Sequence, residues 1–324
     1  MHPALPRHVA SALALFGLLL PACTGSMSAP TTQHVRAVSS DRPALRSAGE
    51  RLPPVSGMNP AASEWAEVEA GVWISGLHLR TAHVSIRSDA SEQDGRRVAR
   101  LAEAHVERLV STYGDALDLR LPYQPLPLVV HARRSEFGDA LQRAAPGHPG
   151  WGAFYDARTG SVHVCIEPAP RGALPLEADV RHEMTHQILD LSTPMRDRGK
   201  IFTGGNLWLW EGFAAWSEGL GDPAGTDTRA PRRQRFERRR ARGEVTDLPT
   251  LFRLDQDRFE GRHYDQTAVL VTYLMANGVQ GGQRAVLATL RDLLRGRARP
   301  GDFERGIGMT AAQLDATWRQ GRRE

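Results

Sequence analysis

The segment His182-Glu183-Met184-Thr185-His186 constrains the fold of this 324-residue chain more than any other feature. On an α-helix, positions four apart lie on one face about one turn apart, so both imidazoles can bind one metal ion at about 2.0 to 2.1 Å. Glu183 then lies beside the metal without ligating it, where its carboxylate can take a proton from water on the metal. The motif predicts half of a zinc site, although 12 histidines leave chance spacing as an alternative.

A third ligand is required, because a catalytic zinc site uses three protein ligands and keeps one position open. The candidate is Glu211, within the aromatic segment 207–218. The 24 residues between His186 and Glu211 allow the first helix to end, a loop to turn and a second helix to return antiparallel. Pro194 ends the first helix, and the glycines that follow make the loop permissive.

An HExxH helix followed some two dozen residues later by W-x-x-E-G-x-A, here residues 208–214, resembles the gluzincin clan of zinc metallopeptidases. It is most similar to the peptidase MA-like group of bacterial envelope proteins, many of which have no assigned substrate. The resemblance implies Zn²⁺ as the cofactor, His182, His186 and Glu211 as its ligands, and Glu183 as the general base.

The same resemblance implies an α+β fold, a zincin-like two-lobed metallopeptidase domain. The N-terminal lobe, residues 63–200, would contain a mixed β-sheet and the active-site helix. The C-terminal lobe, residues 201–324, would be mostly helical and would contribute the third ligand. In such enzymes an edge strand binds extended substrate by main-chain hydrogen bonds, and residues 152–156 are the candidate here. An ordinary hairpin without substrate contact is the alternative.

One position departs from the family pattern. Many relatives place an acidic or hydroxyl residue one turn after the third ligand, where it hydrogen-bonds a ligand histidine, and here that position is Ala215. Loss of such a partner typically costs 10- to 100-fold in metal affinity or activity. Asp190 and Glu218 are the carboxylates that could take its place, and solvated helix-surface charges are the alternative interpretation of both.

Periodicity predicts the elements of the N-terminal part. Strands are expected at 82–87 and 126–131, a helix at 135–144, and a hairpin from 153–156 and 161–166. A further helix is indicated by helical spacing of Val98, Leu101, His105, Leu109 and Tyr113. The active-site helix should begin near Leu176 or Glu177. His131 and His163 are expected to be structural, and Cys165 to be a buried strand cysteine.

The C-terminal part predicts amphipathic helices at 264–275, 283–294 and 310–318. Gluzincins often use a tyrosine from this lobe to hydrogen-bond the oxyanion, and Tyr264 is the best positional match. Such a donor is worth about 3 kcal/mol in the transition state. Packing of the helix onto the core is an equally good explanation of Tyr264, and His263 could serve the same purpose.

The N-terminus predicts export. An apolar run at 9–20 follows Arg7 and His8 and is too short to span a bilayer, which is typical of a signal peptide over residues 1–22. Residues 20–23 resemble a lipobox and predict a lipid anchor at Cys23, with simple secretion as the alternative because Pro21 is unusual there. Residues 23–62 are predicted to form a disordered tether. The expected location is the bacterial cell envelope or the exterior.

Positive charge is concentrated at residues 229–242, which contain eight arginines against Glu237 alone in a chain of formal net charge +4. The segment could contact anionic lipid or wall polymers, or could be a solvated helix or loop. Nucleic acid is not an expected partner, because no recognition motif or aromatic interleaving accompanies the arginines.

Together these features predict a zinc-dependent peptidase acting on a peptide or protein substrate. Internal cleavage is favoured over aminopeptidase activity, because Asp156 is the sole acid between residues 151 and 166 that could bind a free N-terminus. The alternative is a non-catalytic surface lipoprotein that keeps the scaffold as a binding or structural module. Ala215 favours that alternative, whereas an intact Glu183 opposes it.

Overall fold

The computed structural model of the protein describes residues 76–145, 152–168, 174–195, 205–222 and 227–320. The predicted signal peptide, the tether and Cys23 lie outside these residues. The described residues all belong to one compact α+β unit. None of its helices combines the length and apolar character needed to cross a membrane.

Five short strands form one mixed sheet. The strands are β1 (Leu77–Arg80), β2 (Val84–Ser88), β3 (Leu126–His131), β4 (Ala153–Asp156) and β5 (Ser161–Cys165). Their order across the sheet is β1-β2-β3-β5-β4. β2, β3 and β5 are parallel, while β1 and β4 are antiparallel to their neighbours. β4 is therefore an edge strand, as the candidate substrate strand would have to be.

Helices make up most of the remaining described chain. They are α1 (Glu92–Leu117), α2 (Arg134–Ala144), α3 (Leu176–Ser192), α4 (Leu207–Ser217), α5 (Ala230–Ala241), α6 (Leu248–Leu251), α7 (Gly261–Met275), α8 (Gly282–Leu294), α9 (Asp302–Ile307) and α10 (Ala311–Gln320). α1 begins where the Ser91 side chain accepts a hydrogen bond from the Asp94 N–H, and it ends at Asp118 in the left-handed conformation.

A continuous apolar core joins the sheet to the helices. The inward-facing residues of β2 and β3, such as Ile86 and Leu128, pack in the same cluster as Val106 of α1 and Met184 of α3. α3 packs against α1, α4 and β4. This central position explains why nearly the whole of α3 is buried, and why a polar motif on it needs partners from the surrounding elements.

The predicted elements are largely confirmed. The strand at 126–131 has the predicted bounds, α3 begins at Leu176, and Cys165 is a buried free cysteine on β5. The strand predicted at 82–87 begins and ends slightly later, at 84–88, and β1 was not predicted. The division into two lobes at residue 200 remains a prediction.

Gly212 sets the distance between α4 and α7. A Cβ at this position would lie 2.5 Å from Val271 Cγ2 and 3.0 Å from the Thr267 carbonyl oxygen, which is main chain and cannot easily move. Glycine therefore allows a close helix contact directly beside Glu211, and α7 carries Tyr264.

We expect Gly212→Ala to destabilise the protein by about 1 to 3 kcal/mol, because overpacking forces the helix backbones apart. Gly138→Ala is the matched control, since a Cβ at Gly138 in α2 meets no atom within 4 Å. That control should stabilise the helix by roughly 0.5 to 1 kcal/mol. Chemical denaturation of both variants measures the change in the free energy of unfolding. A Gly212→Ala protein that is as stable as the unmodified protein, or more stable, would refute the close packing.

Candidate metal centre

Two helices bring three ligand side chains together. His182 and His186 lie on α3, and Glu211 lies on α4, which packs against it. His182 Nε2 and His186 Nε2 are 3.1 Å apart, and each lies 3.4 Å from Glu211 Oε2. All three side chains are almost completely buried. The structure thus brings the three predicted ligand residues together at one point.

The triangle formed by these three atoms has the dimensions of a tetrahedral zinc site. An ion bonded at about 2.0 to 2.1 Å separates its ligand atoms by about 3.3 to 3.4 Å, which is close to the three observed distances. Glu211 Oε2 is buried and accepts no hydrogen bond of good geometry from any described residue. A buried carboxylate oxygen facing two imidazole nitrogens therefore suits a divalent cation.

Electrostatics of the pocket also favour a cation. Burial alone would raise the pKa of Glu211, but His186 and His182 outweigh burial and lower it to about 2. Burial likewise opposes the charged form of His182, yet the nearby carboxylates of Glu211 and Glu218 raise its pKa to about 10. The carboxylates around His182 thus outweigh the cost of burying a positive charge beside them.

Glu183 lies beside the triangle and is held by the edge strand. Its Oε2 accepts a hydrogen bond of 2.9 Å from the Tyr155 main-chain N–H in β4. Burial raises the pKa of Glu183, and Glu211 adds to this, while the two ligand histidines act in the opposite direction. A carboxylate whose pKa is raised in this way is suited to accept and return a proton near neutral pH.

Glu218 takes the place that Ala215 leaves empty. Glu218 Oε1 lies 2.9 Å from His182 Nδ1, so it accepts the proton of that nitrogen and turns Nε2 toward the triangle. Arg232 holds the carboxylate from the other side through Nε, at 2.9 and 3.0 Å, and through Nη2 at 2.6 Å. Burial favours the neutral acid, but Arg232 and His182 keep the pKa of Glu218 low. The interpretation of Glu218 as a solvated charge is wrong.

His186 is positioned by an aromatic ring. The indole of Trp210, which precedes Glu211, stacks on the His186 imidazole at a centroid distance of 5.4 Å and an angle of 16°. Asp190, the other candidate partner, is also buried and accepts a 2.7 Å hydrogen bond from the Tyr155 hydroxyl. Asp190 thus ties α3 to the edge strand, and its interpretation as a solvated charge is wrong.

Thr185, inside the motif, links three helices. Its hydroxyl lies 2.8 Å from His105 Nε2 on α1 and 2.6 Å from Ser217 Oγ on α4, and it donates to the Arg181 carbonyl at 2.8 Å. Burial lowers the pKa of His105 to about 3, so that ring is neutral. In the sequence His105 belongs only to an apolar helix face, and no pattern there indicates its contact with Thr185.

Tyr264 lies at the same site, on α7. Its side chain is buried, and burial, Glu211 and Glu183 together raise its pKa well above the ordinary value. The hydroxyl therefore keeps its proton and can donate a hydrogen bond. His263 serves another purpose, because its Nδ1 accepts a 2.8 Å hydrogen bond from the Glu260 N–H at the start of α7.

The arginine-rich segment is partly an internal structural element. On one face of α5, Arg232 binds Glu218, while Arg235 and Arg239 bind Asp265 of α7 at 2.8 and 2.5 Å. Arg232 is 5% exposed. The expectation of a solvated segment or a membrane-facing surface is therefore wrong for these three arginines, which pair with two buried carboxylates.

Two other groups of side chains in the described part of the chain could approach a metal. One is His83 with Glu103 and Glu107, and the other is Asp89 with His131 and Glu136. Glu103 already accepts hydrogen bonds from Thr81 and from His83. His131 Nε2 lies 3.0 Å from His163 Nδ1, and the two rings stack. The expectation that His131 and His163 are structural fits these contacts.

Comparisons with known proteins add no identification, since no protein-family model matches the chain and no curated protein matches it in sequence. The resemblance to gluzincins therefore depends on the motifs and on the geometry they adopt.

Removal of the Glu218 carboxylate should weaken zinc binding. We expect Glu218→Gln to lower zinc affinity 10- to 100-fold, because His182 loses the acceptor that fixes its tautomer. Competition with a chromogenic chelator measures the affinity. Glu244→Gln, a change at an exposed ion pair with Arg242, is the control and should bind zinc like the unmodified protein. Unchanged affinity in Glu218→Gln would show that Glu218 does not orient the ligand.

Proposed function

We propose that this protein is a zinc-dependent peptidase. The observation that carries the proposal is the buried triangle of His182, His186 and Glu211, with distances of 3.1 and 3.4 Å, beside the carboxylate of Glu183. A structural zinc site would use four protein ligands, whereas the described residues offer three here, which would leave a position for water or substrate. Zinc is the metal proposed because nitrogen and oxygen ligands with nearly tetrahedral spacing suit it.

The bound zinc would polarise the scissile carbonyl and lower the pKa of water. Glu183 accepts the proton that the attacking water loses and returns it to the leaving amine. The Tyr155 N–H holds one carboxylate oxygen in place during both transfers, and burial keeps the pKa of Glu183 raised for this exchange.

Tyr264 would stabilise the oxyanion of the tetrahedral intermediate. Its hydroxyl remains protonated because of burial and the two nearby glutamates, so it is a donor at every pH at which the protein would work. The close contact of α4 and α7 at Gly212 holds this tyrosine next to the ligand helix. A donor that is fixed before the reaction costs no reorganisation when charge develops.

The outer edge of β4 provides the surface for a peptide. The Gly152 and Asp156 carbonyls accept hydrogen bonds from the N–H groups of Cys165 and Gly160, on the β5 side. Because main-chain groups alternate along a strand, those of Ala153 and Tyr155 point the other way, toward Glu183. An extended substrate that pairs with this edge would therefore lie along the catalytic carboxylate.

The proposal includes the zincin-like arrangement and an envelope location. In the described chain all strands precede residue 166, and every element after α3 is helical, which supports a mixed first lobe and a helical second lobe. The signal-peptide pattern at 1–22 and the lipobox-like Cys23 support export. The non-catalytic alternative loses its main support, because Glu218 supplies the histidine partner that Ala215 lacks.

Substitutions of the motif residues test the proposal directly. We expect about one zinc per chain in the purified protein, and loss of that zinc in His182→Ala, His186→Ala and Glu211→Ala. Glu183→Gln should keep the zinc and lose nearly all hydrolysis of a peptide library, because only the proton acceptor is removed. Metal analysis and mass spectrometry of the products provide the two measurements. Full hydrolysis by zinc-loaded Glu183→Gln would contradict the mechanism.

Tyr264→Phe isolates the oxyanion donor. We expect kcat to fall roughly 10²- to 10³-fold with zinc content unchanged, because the hydroxyl acts in the transition state. Steady-state kinetics on the best library peptide measure this effect. A variant with normal kcat would leave Tyr264 with a packing role only.

A further inference from the structure

Asp179, in the first turn of α3, is a buried carboxylate with no task in the chemistry above. Its side chain is only 8% exposed. Within the described part of the chain, no hydrogen bond or ion pair joins it to another side chain or to the main chain. Buried carboxylates normally have partners, since burial of an unpaired charge is costly. An unpaired carboxyl group beside a candidate active site is available to bind a group of the substrate.

Helix geometry places Asp179 next to the catalytic carboxylate. It precedes Glu183 by four residues, so both lie on one face of α3, roughly 6 Å apart along the helix axis. It also faces the edge strand, because a Cβ built on Gly152 would overlap Asp179 Oδ2. Asp179 thus lies where α3 meets the start of β4, the strand along which a substrate would extend.

The charged groups that act on Asp179 are two glutamates, Arg232 and His182. Burial raises the pKa of Asp179, and Glu218 and Glu183 add to this while Arg232 and His182 oppose it, so that the pKa is about 8. Arg232 is already bound to Glu218 through two of its nitrogens. A positively charged group that entered this space would relieve the repulsion among three carboxylates.

We propose that Asp179 recognises a cationic group of the peptide substrate, an ammonium or guanidinium, within one or two residues of the scissile bond. Asp179 and Glu183 are roughly 6 Å apart along α3, and an extended peptide rises about 3.3 Å per residue. The cationic group therefore lies one or two residues from the scissile bond. This inference rests on the proposed peptidase function. The cation has two sources, the free amino terminus of the substrate or a lysine or arginine side chain.

The inference revises one expectation from the sequence. Internal cleavage was favoured because Asp156 was the only acid in the hairpin segment. Asp156 is bound by Arg158, with an Oδ1 to Nε distance of 3.1 Å, so it is not available for a substrate. Asp179 reaches the same strand from α3, and a free amino terminus is therefore one of the two groups it can bind.

Peptide binding to the zinc-loaded Glu183→Gln chain provides the test, because binding is read without turnover. Fluorescent peptides of one neutral sequence are compared in three forms. The first is N-acetylated, the second has a free amino terminus, and the third is a set of N-acetylated peptides with one lysine at successive positions. We expect one cationic form to bind about tenfold or more tightly than the neutral form. Asp179→Asn in the same background should reduce that ratio to about one. Which peptide shows the preference identifies the source of the cation.

Asp156→Asn is the matched control and should keep the tenfold preference, since it removes a carboxylate that is already paired. Equal binding of all peptides, or a preference that survives Asp179→Asn, would overturn the inference. The wild-type chain is assayed in parallel on the acetylated neutral peptide. If that peptide is hydrolysed but the binding assay shows no charge preference, only the role of Asp179 is refuted. Absence of both binding and hydrolysis refutes the peptidase proposal and the inference together.

Discussion

The structure depends on the hydrogen bonds and ion pairs of the charged side chains that are buried where α3 packs against α4. Two imidazoles and a carboxylate are buried at this contact, and a charge in such a place requires partners. The partners extend outward in a chain: His182 binds Glu218, Glu218 binds Arg232, and Asp265 binds the neighbouring arginines of α5. An arginine-rich helix that resembles a surface feature in the sequence is thus held against the core by the buried carboxylates of Glu218 and Asp265.

Glu183, the proposed general base, depends on a second contact, between α3 and the edge of the sheet. Tyr155 makes this contact twice, because its N–H binds Glu183 and its hydroxyl binds Asp190. The strand that would align a substrate is therefore fixed to the helix that would carry out the chemistry. Effective catalysis requires reacting groups to be held within fractions of an ångström, and a rigid helix and strand achieve this better than loops. Asp179 extends the same contact toward the start of β4.

The sequence predicted most of the local elements, because helical and strand periodicity are short-range signals, and the HExxH spacing indicated the residues that the structure brings together between α3 and α4. It missed β1, because an alternation of only four residues, Leu-His-Leu-Arg, is too short to indicate a strand. It also missed the Arg232 contact and the role of Asp179. Glu218 and Arg232 meet across the turn between α4 and α5, and Asp179 meets Gly152 only when α3 packs on the hairpin. Such tertiary contacts leave no pattern in a single sequence.

The central claim is that one zinc ion binds His182, His186 and Glu211. An anomalous difference map from crystals of the zinc-loaded chain, recorded on both sides of the zinc absorption edge, tests it most directly. The account predicts one strong peak per chain, about 2.0 to 2.2 Å from both Nε2 atoms and from a Glu211 oxygen. A peak only at the Asp89, His131 and Glu136 group, or no peak between α3 and α4, would contradict it.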